Sequence, residues 1–148
     1  MTAMTVESAT AAGTTGTTGT TGTTVTHLPA GHGRSLAMLG DSLTFKAEPG
    51  AGGNTCLLFE HYLPAGLGVP PHTEANYEAF YVLEGTLDVE AGGERYRLGA
   101  GDFLGVPAGV AHGQHNPGPG AARSLTLISP GANHVRFFTT LGQPIVDP

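Results

Sequence analysis

Eight short apolar runs, each closed within a few residues by glycine, proline or asparagine, constrain this chain more than any other feature. They fall at 35–39, 42–47, 55–63, 79–83, 86–90, 95–98, 103–106 and 124–128. Each has strand length and is rich in β-branched or aromatic residues. The breaks carry turn chemistry, as in Pro64-Ala65-Gly66, Ala91-Gly92-Gly93, Pro107-Ala108-Gly109 and Asn116-Pro117-Gly118. With 24 glycines and 11 prolines in 148 residues, little room is left for long helices. The pattern predicts an all-β barrel or sandwich. Only 133–141 reads as a helix.

The length suits one compact domain. Residues 10–24 repeat Gly-Thr-Thr with almost no large apolar side chain, so burial there does not offset the entropy of ordering. Residues 1–24 are therefore expected to be a flexible tail, and 25–148 the folded domain. The net charge is -6 and the six basic residues are scattered, which argues against nucleic acid as a partner. Cys56 is the only cysteine, which excludes an internal disulfide and suits a reducing compartment. Its neighbours Leu57, Leu58 and Phe59 make it an inert core thiol. No basic-then-apolar leader and no apolar run of membrane-spanning length is present, so the expectation is a cytoplasmic protein with no membrane contact.

Two segments concentrate chemistry. In "PPHTEANYEAFYVLEG", residues 70–85, His72 and Glu74 share one face of an extended strand. Glu78 has the same parity but lies roughly 20 Å further along a straight strand, too far to share an ion with His72. The chain must fold back, and Ala75-Asn76-Tyr77 is the place for a bend that sets Glu78 opposite His72. In "GDFLGVPAGVAHGQHN", residues 101–116, a Pro-x-Gly turn leads into a strand carrying His112. Alone, His112 reads as a hydrogen-bonded core or loop histidine.

The spacing Gly66-x5-His72-x-Glu74-x3-Glu78-x6-Gly85, followed by Gly101-x5-Pro107-x-Gly109-x2-His112-x3-Asn116, resembles the two-part signature of the cupin superfamily. The stretches 40–55, 80–112 and 129–144 look like the small, single-domain, quercetin-dioxygenase-like cupins. The resemblance covers roughly residues 35–146. It implies a double-stranded β-helix, or jelly-roll, barrel with a short C-terminal helix, one divalent metal ion (Fe, Mn, Ni, Cu or Zn) inside the barrel, and a homodimer. By position His72, Glu78 and His112 match the family's ligands, a facial triad of two histidines and a carboxylate that leaves coordination positions open.

Glu74 departs from the family, which usually has a histidine there. It is open to three readings: a fourth ligand, a general base beside the open positions, or a solvated rim residue. Glu74 and Glu78 are the carboxylates expected to take part in any chemistry. Among the other residues, His61 is exposed or faces the pocket, and Gln114 and His115 either orient a substrate or belong to a loop. His134 and Arg136 are expected on the helix surface, Glu84 in a turn, and Tyr77, Phe80 and Tyr81 in the core or the pocket wall. His27 and His32 lie near the tail.

Three functions fit. The first is a dioxygenase-type oxidoreductase acting on a small enol or aromatic hydroxyl compound that chelates the ion. The second is a non-redox cyclase, isomerase or lyase in which Glu74 moves a proton, and the third a non-catalytic module that binds a small molecule.

Overall fold

A computed structural model describes residues 25–146. The Gly-Thr-Thr repeat lies outside the described residues. The strands are β1 (Arg34–Met38), β2 (Asp41–Ala47), β3 (Leu57–Leu63), β4 (Gly68–His72), β5 (Tyr77–Glu84), β6 (Thr86–Ala91), β7 (Glu94–Gly99), β8 (Phe103–Val106), β9 (His112–His115), β10 (Ala122–Ser129) and β11 (Gln143–Pro144), with one helix, α1 (Ala132–Leu141). A seven-stranded sheet runs β11-β1-β2-β3-β10-β5-β8 and faces a four-stranded sheet ordered β4-β9-β6-β7. Every strand pairing is antiparallel. The result is the expected jelly roll with its C-terminal helix.

All eight apolar runs became strands, and α1 begins one residue before the expected helix. β4 is less obvious in sequence because Pro70 and Pro71 occupy it. Its place at the edge of the four-stranded sheet explains why two missing backbone donors are tolerated there.

The barrel interior holds two apolar clusters. Leu63, Phe80, Val82, Leu87, Val89, Leu98 and Val106 join the two sheets. Leu36, Leu43, Phe45, Leu57, Phe59 and Ile128 form the second, which α1 covers with Val135 and Phe138. The Phe138 ring meets Phe59 edge-on at 5.5 Å between centroids. The helix lies this close because Gly131 precedes it: a Cβ there would sit 2.4 Å from the Leu57 backbone nitrogen.

Strand alternation selects what faces inward. In β3 these are Leu57, Phe59, His61 and Leu63; in β5, Glu78, Phe80 and Val82. Tyr77 and Tyr81 point outward and are exposed, so only Phe80 of that group belongs to the core and pocket. Cys56 is partly buried just before β3, beside Ser129 Oγ at 3.5 Å.

Asn116 closes the end of β9 from a fully buried position. Its Nδ2 donates to Leu63 O at 2.8 Å and Gly120 O at 2.9 Å, and its Oδ1 accepts from Gly118 N–H at 2.9 Å. Three such bonds contribute about 1 kcal/mol each, and their loss strands the buried Leu63 carbonyl. Asn116→Ala should therefore lower stability by about 3 kcal/mol, read as a reduced urea midpoint at unchanged slope. An unchanged midpoint would show that the loop closes without it.

Candidate metal centre

β4 and β9 are neighbours, and their register sets His72 directly opposite His112. The two rings lie 4.5 Å apart between centroids. After β4 the chain turns through a bend at Ala75 and Asn76, where the buried Asn76 side chain donates to Pro130 O, and enters β5 in the other sheet. Glu78 therefore meets the histidines across the barrel and not from an adjacent strand. His72, Glu78 and His112 each offer a ligand atom, all within 4.8 Å of one another. Glu78 and His112 are buried, at 7% and 2% exposure, and His72 is the more open of the three.

The donor chemistry fits a divalent cation. His72 Nδ1 lies 2.9 Å from Pro70 O, and His112 Nδ1 lies 2.9 Å from Val110 O. A carbonyl only accepts, so each Nδ1 carries the proton and each Nε2 is left as the coordinating atom. His112 Nε2 lies 2.7 Å from Glu78 Oε2. That hydrogen bond raises the His112 pKa above its ordinary value, against burial, which pulls it down.

Glu74 is not in this group. It lies beyond β4, and its Oε2 is hydrogen-bonded to His134 Nε2 from α1, while Glu74 Oε1 and His134 Nδ1 are buried without a protein partner. His134 thus corrects the expectation of a surface residue: α1 turns this side chain inward, whereas Arg136 is exposed as expected. The spacing of Phe138 four residues on, with which His134 shares a helix face and an aromatic contact, was the signal available in sequence.

All these groups line one cavity of about 550 Å³, whose wall is largely apolar and includes Phe59, Phe80, Phe137 and Phe138. His61 is also in it, buried to 3%, with Nε2 2.5 Å from Asp41 Oδ2. Of its two sequence readings the pocket-facing one holds, and the neighbouring Tyr62 is the exposed residue. Asp41 was not singled out in sequence. Gln114 lines the cavity whereas His115 is exposed; both belong to β9 and not to a loop. Glu84 pairs with Arg123 at 3.1 Å, and His27 and His32 are exposed.

Comparison with known proteins agrees with the fold. Residues 58–128 match the cupin domain model. The chain is 34% identical over 76 residues to quercetin 2,3-dioxygenase of Bacillus subtilis, a match covering 51% of this chain and 22% of that protein. Thus the chain spans about a fifth of the curated relative it matches. Among solved structures it is similar to KdgF from Halomonas sp., with a TM-score of 0.65, 22% identity, and coverage of 76% of this chain and 99% of that one. A predicted oxalate decarboxylase from Thermotoga maritima gives a TM-score of 0.63 at 22% identity, covering 72% and 99%. At such identities these two speak to the fold alone. The matched segment and the partial curated relative support a cupin superfamily member. Among the described residues no helix is long and apolar enough to cross a membrane.

The His112–Glu78 pair gives the site a pH signature. Because the folded pKa of His112 is raised, the pair's contribution to the metal-free protein is complete below the ordinary imidazole pKa and is lost as pH rises through the raised value. A cation bound at Nε2 must displace that proton. Divalent-metal affinity should therefore fall as pH drops below the raised value, by up to about tenfold per unit for one proton. Chelator competition across the near-neutral range measures this; an affinity independent of pH would remove His112 from the ligands.

Proposed function

We propose that this cupin is a mononuclear metal-dependent enzyme of the dioxygenase type, acting on a small enol or aromatic hydroxyl compound. The carrying observation is the convergence of His72, Glu78 and His112 on the wall of a largely apolar cavity of substrate size. The partial likeness to quercetin 2,3-dioxygenase supports the reaction class. A redox-active divalent ion held by these three residues supplies Lewis acidity and an electron route between substrate and dioxygen.

The chain's own residues do the rest. Phe59, Phe80 and Phe138 give the substrate an apolar seat that excludes water. The backbone carbonyls of Pro70 and Val110 fix the imidazole orientations before an ion arrives. Glu74 Oε1, buried and free of protein partners, accepts a proton from an acidic hydroxyl or carbon of the substrate, while His134 holds the other oxygen.

Metal-loaded protein is expected to consume oxygen with at least one member of a phenol and flavonol panel, and His112→Ala to consume none. Absence of uptake across the panel by loaded protein would contradict the redox reading. The Glu74–His134 pair favours a second reading, a non-redox cyclase, isomerase or lyase in which Glu74 is the base. On that reading Glu74→Gln lowers turnover about 100-fold or more with the metal retained. A variant that keeps both metal and full turnover excludes it.

A further inference from the structure

Across the cavity from the metal group, three polar side chains from both sheets form a chain of their own. His61 is almost wholly buried, with Nε2 2.5 Å from Asp41 Oδ2. Its Nδ1 lies 3.4 Å from Gln114 Nε2. A carboxylate only accepts, so His61 Nε2–H donates to Asp41, and His61 Nδ1 accepts a long hydrogen bond from the Gln114 amide. With the directions so set, two buried atoms have no protein partner: Asp41 Oδ1 and Gln114 Oε1. Both are acceptors, and both residues line the cavity. Such a pair matches a ligand that brings a hydrogen-bond donor.

Gln114 stands two residues beyond His112 on β9, so the two points are separated by about 6.6 Å along the strand. One ring substituted at both ends bridges that distance. The space between is flanked by aromatic side chains, with Phe59 6.2 Å from His61 and Phe80 6.5 Å from His112 between ring centroids. We propose that Asp41, His61 and Gln114 form a second recognition point, which accepts a hydrogen bond from a hydroxyl on the end of an aromatic ligand remote from the His72–Glu78–His112 group. The inference narrows the substrate class and rests on the metal-dependent reading for the ligand's orientation. Asp41 and Gln114 are the specificity-determining residues, and His61 is the positioning residue that holds Asp41.

Two isosteric probes test it: 4-(hydroxymethyl)catechol, which carries the remote hydroxyl, and 4-ethylcatechol, which does not. Binding to the protein carrying its own metal is measured by anaerobic calorimetry, so no turnover is needed. The hydroxymethyl compound should bind about tenfold or more tightly, as expected for a hydrogen bond to a charged or buried acceptor. That preference should shrink to within about threefold in Asp41→Asn or in Gln114→Met, whichever residue takes the hydroxyl's one proton. Thermal unfolding of the two conservative variants, expected near that of the parent, shows that the fold is kept. Equal affinities in the parent, or a preference that survives both substitutions, would overturn the second recognition point and leave the metal reading standing. A preference that persists undiminished in His112→Ala would uphold the recognition point and overturn anchoring by the metal. Failure of both probes to bind would overturn both.

Discussion

The bond between Glu78 in the seven-stranded sheet and His112 in the four-stranded sheet is the constraint around which this barrel is organised. A carboxylate buried to 7% is costly unless something positive or donating faces it. His112 supplies that, and its own Nδ1 is satisfied by Val110 O. The interior therefore cannot close on apolar contacts alone at this point. It must keep the register that sets His72 beside His112 and the bend that returns Glu78 across the barrel. The same requirement produces a ready set of cation ligands.

The cavity is best understood as an apolar space with three acid–histidine pairs on its wall: Glu78–His112, Glu74–His134 and Asp41–His61. Glu78–His112 links the two sheets and Glu74–His134 links α1 to the segment beyond β4, whereas Asp41–His61 spans two paired strands of one sheet. Their chemistry differs by company. His72 joins only the first pair, which makes it the candidate cation site. The second ties α1 to the segment just beyond β4, and the third is extended by Gln114. Phe59, Phe80 and Phe138 separate these points and give a bound ring its contacts.

The strands were legible in sequence because that signal is local: turn residues bound each one. His72, Glu78 and His112 were legible as a group only through the two-part spacing that resembles the cupin signature, since His112 alone reads as a core or loop histidine. His61 and His134 were not placed so well. Leu57, Leu58 and Phe59 make β3 apolar on both faces, so alternation there does not reveal which side is interior. The inward face of α1 depends on how closely Gly131 lets the helix approach Leu57, a tertiary contact of which the spacing of His134 and Phe138 was the sole local sign. Asp41 opens β2 in a polar turn and gains its role only from the pairing of β2 with β3, which brings it to His61.

The central claim is that His72, Glu78 and His112 hold one metal ion inside this barrel. Elemental mass spectrometry on protein purified without a histidine tag or added metal tests it most directly, with His112→Ala prepared in parallel. The account predicts about one transition-metal ion per chain in the parent and its loss in the variant. No bound metal, or equal metal in both proteins, would contradict it.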